Sequence, residues 1–303
     1  MIPFPERLML SSGQLTIELL PEWGSKMISF RTEPDGYEFL SPPPYGPHLP
    51  DSAIYAAEDA YGFDEMFPGV YPQTYPAEPW QQERIADHGD LWYRVWERSG
   101  GGTQATLWVA DERLGWHFAK TLRFTDPVSL ETQYRAENRS QHPLHWLYCA
   151  HILCPFREGI ELELPAGRYR RLETFGQPLP EVCEADAAHL ARQGAFPSQS
   201  AAFYVSDEIG PSRCLYRDRR AGKALELSWT GPLAYLGVWY NKAGWSDEKP
   251  LTHLGLEPTT AGNQDLAEWV KSGSSRPLQP GEAATWTMTM AVLDEGQAST
   301  DES

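Results

Sequence analysis

Runs in which polar and apolar residues alternate recur from one end of the chain to the other, and they constrain the fold more than any other feature. The pattern is clear in residues 14–20, 105–109, 116–124 and 129–136, and again in 224–229, 235–240 and 284–292. A period of two places successive side chains on opposite faces, which is the signature of half-buried strands in antiparallel sheets. Turn-forming clusters separate the runs, among them Pro34-Asp35-Gly36, Ser99-Gly100-Gly101-Gly102, Glu137-Asn138-Arg139-Ser140 and Pro280-Gly281-Glu282. Long amphipathic helices are absent from the pattern, with residues 184–193 the best candidate for a short surface helix. No repeat of 20–50 residues is visible. Many strands and few helices predict an all-β chain, a large antiparallel β-sandwich or a barrel.

Of the 303 residues, 41% are hydrophobic and 22% charged, enough to bury an ordinary core. Large sandwiches often form one domain at this length, so residues 1–293 are expected to be a single unit. Residues 294–303 read as an acidic, disordered tail. The 12 Trp, 14 Tyr and 11 Phe suit strands and also supply flat platforms for sugar C–H faces. A net charge of −17 argues against nucleic acid and anionic membranes as partners, though it leaves room for a local basic pocket. Cys149, Cys154, Cys183 and Cys214 form no CxxC pair and do not cluster with His, so no metal is expected and the thiols are read as free and buried. Without a leader-like segment or a long apolar run, the expected setting is cytoplasmic. The oligomeric state is not legible.

Two segments are not strand-like. Residues 41–50 hold too many prolines for a central strand. Residues 61–79 are aromatic, proline-punctuated and irregular, and long structured loops are often functional.

Three constellations could carry chemistry. Asp87-His88-Gly89-Asp90-Leu91-Trp92 places a His before a Gly, which on its own is equally a surface turn. In Pro143-Leu144-His145-Trp146-Leu147-Tyr148-Cys149-Ala150-His151, an unbroken strand would face His145 and His151 the same way, and a His there is also readable as a satisfied core residue. In Leu254-Gly255-Leu256-Glu257-Pro258, a carboxylate sits where proline ends the ladder. It is either an exposed strand-end residue or a buried group in need of a partner.

The order of these features resembles the galactose mutarotase-like superfamily, the aldose 1-epimerases. The matching residues are His88-Gly89, then Tyr134-Arg135-Ala136-Glu137-Asn138 leading to His151, then Leu256-Glu257-Pro258, and finally Leu278-Gln279-Pro280-Gly281-Glu282. Near the N-terminus, residues 23–30 resemble the family's early Gly-Ala-x-Ile-x-Ser hairpin. The resemblance spans residues of about 14–293. It implies a supersandwich with a sugar cleft on a concave face, Glu257 as catalytic base, His151 as general acid, His88 as a sugar-binding residue, and no cofactor. Mutarotation fits these residue types, because a base must take the anomeric proton while an acid protonates the ring oxygen.

The family's early Gly-Arg-x-x-Asn-Arg-type segment is replaced here by Tyr61-Gly62-Phe63-Asp64-Glu65-Met66-Phe67-Pro68-Gly69, so the sugar does not transfer with the resemblance. Asp64 and Glu65 are candidates to accept hydrogen bonds from sugar hydroxyls, or else fold the loop. Trp92 and Trp239 are candidates to stack on a pyranose face, with core packing equally open. Lys120 and Arg123 lie three apart on a strand, so both cannot point into one cleft. Asn263 and Asp265 either orient the base or cap a loop. Two further functions stay open: a noncatalytic carbohydrate-binding protein, and a lyase or glycoside hydrolase on a related sandwich, which would want a second carboxylate.

Overall fold

The computed structural model describes residues 5–33, 35–45, 49–51, 54–179, 184–191, 196–246 and 248–294. Cys183 and the 295–303 tail therefore lie outside the described residues. Two large antiparallel sheets dominate. The first has ten strands, in the order β1 (Leu8–Ser11), β2 (Leu15–Leu20), β3 (Lys26–Thr32), β4 (Phe63–Met66), β11 (Cys149–Pro155), β19 (Thr252–Thr259), β18 (Tyr235–Lys242), β15 (Ser200–Ser206), β13 (Arg168–Gly176) and β14 (Glu184–Asp186). The second has eight: β12 (Ile160–Glu163), β16 (Ser212–Asp218), β17 (Lys223–Trp229), β20 (Ala283–Asp294), β10 (Ser129–Asn138), β9 (Trp116–Asp126), β8 (Gln104–Asp111) and β7 (Glu97–Gly101). A small hairpin pairs β5 (Gln73–Thr74) with β6 (Arg84–Ile85). The described helices are α1 (Ala187–Leu190) and α2 (Leu266–Lys271). None is long and apolar enough to cross a membrane.

The two sheets use their residues differently. In β9 and β10 buried positions largely alternate with more exposed ones, as the sequence predicts for a sheet wet on one face. In β2, β4, β15 and almost all of β11 and β19, every residue is buried. The first sheet is covered on both faces. Toward the second sheet it meets an aromatic core in which Tyr134 stacks on Trp286 at 5.3 Å and Phe118 on Tyr148 at 6.0 Å. On its other face, Leu153 of β11 packs with Tyr55, Ala57, Ala60 and Trp92 from the long connections.

The sheets are also tied by charge. Lys120 of β9 reaches Glu65 of β4 with Nζ 2.9 and 3.0 Å from the two carboxylate oxygens, and also donates to the Ser25 carbonyl at 2.8 Å. The Tyr134 hydroxyl donates to the same carboxylate at 3.3 Å. Both charges are 2% exposed or less, so each depends on the other for compensation.

Three expectations are corrected. Residues 61–79 begin with a central strand, β4, because the buried Asp64 and Glu65 each find a lysine. Within 184–193, expected as a helix, residues 184–186 instead pair with β13 as β14 and helix α1 follows, while residues 192–193 lie outside the described residues. His145 is not on a strand with His151, because regular pairing starts only at Cys149; its Nδ1 lies 2.9 Å from Ser275 Oγ instead.

Candidate active site

Strand register brings the key groups together. On β4 and β11, Asp64 pairs with His151. The pairings Cys149↔Thr259 and Ile152↔Leu256 between β11 and β19 set His151 against Glu257 in the same register. Glu257 in turn pairs with Gly237 of β18. Asp64, His151, Glu257 and Gly237 thus form one row across the outer face of the first sheet. Cross-strand neighbours on one face stand about 4.5–5.5 Å apart at Cβ.

Glycines make room in that row and the next. A Cβ at Gly237 would lie 2.6 Å from the Phe203 ring and 3.1 Å from Glu257 Cβ. At Gly255, paired with Trp239, a Cβ would lie 2.5 Å from Glu257 Oε1 and 2.8 Å from Trp239 Cβ. Gly255→Ala should therefore displace the Glu257 carboxyl and the Trp239 stem at an overpacking cost of about 1–3 kcal/mol. Thermal unfolding and tryptophan fluorescence would register both effects, and wild-type values in both would refute the packing argument.

His151 and Glu257 line a cavity of about 340 Å³ with His88, Asp87, Tyr55, Tyr71, Glu173, Phe175, Phe203, Trp239, Trp245 and His253. That volume falls at the lower end of the roughly 300–1,000 Å³ usual for ligand sites.

Glu257 is 3% exposed. Among the described residues its hydrogen-bond partner is the Cys149 thiol, Sγ 3.5 Å from Oε2. Burial pushes the Glu257 carboxyl up to about 8; the Cys149 thiol works against the rise, and the nearby Asp64 and Glu173 carboxylates add to it. Burial, then the neighbouring Glu257, holds the thiol itself well above its ordinary range, so it stays protonated and donates.

His151 is oriented from behind. Its Nδ1 donates to Asp64 Oδ1 at 2.9 Å, because an ionised carboxylate only accepts. Nε2 is then the nitrogen left for the cavity. Burial pulls the imidazole below its ordinary value, and Asp64 offsets part of that. Burial alone would raise Asp64, but Lys26, with Nζ 3.0 Å from Oδ2, and His151 hold it well below the usual carboxylate range. Lys26 is itself buried, which lowers its pKa, yet Asp64, Tyr61 and Asp59 more than restore it.

His88 enters from a loop. It has φ 60° and is followed by Gly89 at φ 77°. Its N–H donates to the Val70 carbonyl at 2.7 Å, and that of Gly89 to Ala86 at 3.0 Å. A Cβ at Gly89 would lie 2.6 Å from the Phe67 nitrogen, so a side chain is excluded by both backbone conformation and space. The His88 ring stacks on Tyr55 at 3.8 Å, and its centroid is 5.3 Å from that of His151.

Of the residues singled out in the sequence, the structure brings His88, His151, Glu257 and Trp239 to the cavity, with Asp64 directly behind His151. Glu65 is not there: alternation along β4 turns it to the opposite face, toward Lys120. Trp92 is not there either. It is 1% exposed and donates from Nε1 to the Asp87 carbonyl at 2.8 Å, supporting the His88 loop from beneath. Lys120 is buried between the sheets and Arg123 pairs with Glu131 on the surface, so neither reaches the cleft. Asp265 caps α2 by accepting from the Glu268 N–H, and Asn263 accepts from the Asp265 N–H.

Several lining residues escaped the sequence reading. His253 lies two alternations before Glu257, on the same face, a signal that period two made available. Its Nε2 accepts from Trp239 Nε1 at 2.9 Å, which holds the indole in place, and burial pushes it down to about 3, so it is neutral. Tyr55, Tyr71 and Trp245 come from loops, and Glu173 from a bulged strand, where no local pattern marks them. Among the described residues, no group of three His, Cys, Asp or Glu is arranged to hold a metal ion.

No protein-family model and no curated protein matches the sequence. Solved structures do. An Escherichia coli K12 protein described as a candidate aldose 1-epimerase aligns at TM-score 0.71 and 16% identity, covering 95% of this chain and 99% of that one. A Synechocystis sp. PCC 6803 protein aligns at 0.70 and 17%, covering 97% and 99%. A galactose mutarotase-like protein from Lactobacillus casei aligns at 0.67 and 12%, covering 95% and 100%. The chain has the fold of galactose mutarotase-like proteins, in agreement with the supersandwich expected from the sequence resemblance.

Proposed function

We propose that the protein is a sugar mutarotase of the aldose 1-epimerase type, with Glu257 as base and His151 as acid. The observation that carries this reading is that the two groups project side by side from adjacent strands into one cavity. Glu257 takes the proton from the anomeric hydroxyl while His151 Nε2–H protonates the ring oxygen. The ring opens, C1–C2 rotates, and closure on the other face returns both protons. His88 binds the sugar, and the Trp239 indole, held by His253, offers a face for its C–H groups. Asp64 acts through His151, fixing its tautomer and favouring the imidazolium that donates. A noncatalytic binding protein would have no need for Glu257 and His151 to share a face, so their convergence favours the catalytic reading.

The test is anomer interconversion, followed by polarimetry or NMR exchange across a panel of free sugars. Loss of a detected rate in His151→Ala is expected; an unchanged rate would remove the acid assignment. Release of reducing sugar from glycosides would instead support a hydrolase.

The pH dependence follows from the two shifts. Glu257 is raised to about 8 and His151 is lowered. Between those values the pair holds one proton, the number that one acid and one base require. In the resting protein it sits mainly on Glu257, and the productive arrangement with carboxylate and imidazolium is the less populated of the two. Activity should fall as pH rises through about 8, where the shared proton is lost. It should also fall on the acid side, where His151 gains a proton while Glu257 keeps its own. A rate still climbing well above that alkaline limb would contradict the assignment.

A further inference from the structure

We infer that the cavity takes an amino sugar, with Glu173 as the carboxylate that receives its ammonium group; this rests on the mutarotase reading of the same cavity. Three of the described lining residues are carboxylates, Asp87, Glu173 and Glu257, and none is Lys or Arg. The nearest buried lysines are committed elsewhere: Lys26 to Asp64 behind His151, and Lys120 to Glu65 on the far side of the sheet. A phosphorylated or carboxylated sugar would meet like charge with no compensating cation, an unfavourable arrangement in a cleft lined by low-dielectric walls.

Glu173 is placed for a cation. It lies on β13 where the register shifts between Arg171 and Glu173, a β-bulge that re-aims the side chains beside it. The Tyr71 hydroxyl donates to Oε1, which orients the carboxylate and leaves Oε2 for a ligand. Phe175, two residues on, packs edge-on against Trp239 at 5.8 Å, so the carboxylate stands beside the aromatic wall of the cavity. Aromatic faces add attraction for an ammonium group and none for an anion. The second observation is Glu257: nearly fully buried, facing the same cavity, and bonded among the described residues only to a thiol. Burial and the nearby Glu173 carboxylate both favour the protonated form of Glu257 in the resting site. A neutral sugar would leave that balance unchanged, whereas an ammonium group on Glu173 offsets its charge and favours the Glu257 carboxylate that the base role needs.

The experiment uses the full-length protein with glucosamine and galactosamine, their N-acetyl derivatives, glucose, galactose and glucose 6-phosphate, at a pH below the amine pKa. Binding is read by tryptophan fluorescence and anomer exchange by NMR. Each amine is expected to bind roughly tenfold or more tightly than its parent sugar, the scale of one charge-assisted hydrogen bond. N-acetylation, which removes the charge, should erase the advantage, and the phosphate should bind worst. Glu173→Gln should bring the amine-to-parent ratio close to one. Amines that bind no better than their parents, or a ratio unchanged in Glu173→Gln, would overturn the inference. Glu173-dependent amine binding without anomer exchange of any sugar would uphold it and sink the mutarotase reading. Exchange of neutral sugars without amine preference would do the reverse.

Discussion

Glu257→Gln is expected to abolish anomer exchange and, at the same time, to stabilise the fold at neutral and alkaline pH. The catalytic loss follows from removing the base, an effect of roughly 10²–10⁴-fold for general acid–base groups. The gain in stability follows from linkage. Glu257 is raised from its ordinary value of 4.5 to about 8 in the folded protein. The folded state therefore favours the protonated form. The group's contribution to stability is fully present below its unfolded pKa and is lost as pH rises through the folded one. At 1.36 kcal/mol per pH unit, the penalty is on the order of 3 kcal/mol at neutral pH and about 5 kcal/mol above the folded pKa. Gln keeps the volume, still offers an oxygen to the Cys149 thiol, and cannot ionise. With an unfolding entropy of about 2 cal/mol/K per residue, a 3 kcal/mol relief raises Tm by about 5 °C. Thermal unfolding of both proteins across roughly pH 5 to pH 9 is the check. The Tm difference should grow with pH. A variant that is less stable throughout would show that burial does not strain Glu257, and one that retains a measured exchange rate would show that it is not the base.

Lys120→Met should be strongly damaging to the fold. Among the described residues it leaves Glu65 between the sheets with only the Tyr134 hydroxyl as hydrogen-bond partner, and breaking one side of a buried pair costs about 3–5 kcal/mol. Burial already pushes the Glu65 carboxyl up, and Lys120 is the largest influence holding it down. Without Lys120 it rises further, so the variant should recover stability as pH falls and Glu65 takes a proton. The double variant Lys120→Met/Glu65→Gln should regain most of the loss, and it should exchange anomers like the wild type because neither residue touches the cavity. Denaturant unfolding of the three proteins distinguishes this from a sugar-binding role. If Glu65→Gln alone weakened ligand binding while leaving stability intact, the interior placement of its function would be wrong.

The contrast between Asp64 and Glu65 explains how far the chain could be read. The amphipathic strands of the second sheet, such as β9 and β10, were legible because one face is wet and period two survives in the residue types. β4 was not. Phe63-Asp64-Glu65-Met66 carries two adjacent acids, which local propensity assigns to a loop. It is a central strand because Lys26 compensates one acid on the outer face and Lys120 the other on the inner face, partners supplied by β3 and by the opposite sheet. Trp92 and Trp239 show the same limit. As residue types they are interchangeable platforms, and only the course of the 86–96 loop turns one beneath the His88 turn while β18 presents the other to the cavity.

The cavity around His88, His151 and Glu257 was visible in outline from the order of short motifs along a strand-rich chain. Alternation also determined that residues two apart on β19 share a face, so His253, Gly255 and Glu257 belong together whatever the rest of the fold does. What required the three-dimensional structure was everything that depends on which strand lies beside which. Register placed Asp64 behind His151 and Glu257 in front of it. Two glycines on neighbouring strands left space for the carboxyl, and burial among apolar neighbours raised its pKa. Sequence periodicity reports the face a side chain takes along its own strand. Desolvation and pairing depend on neighbours distant in the chain, and those set the chemistry.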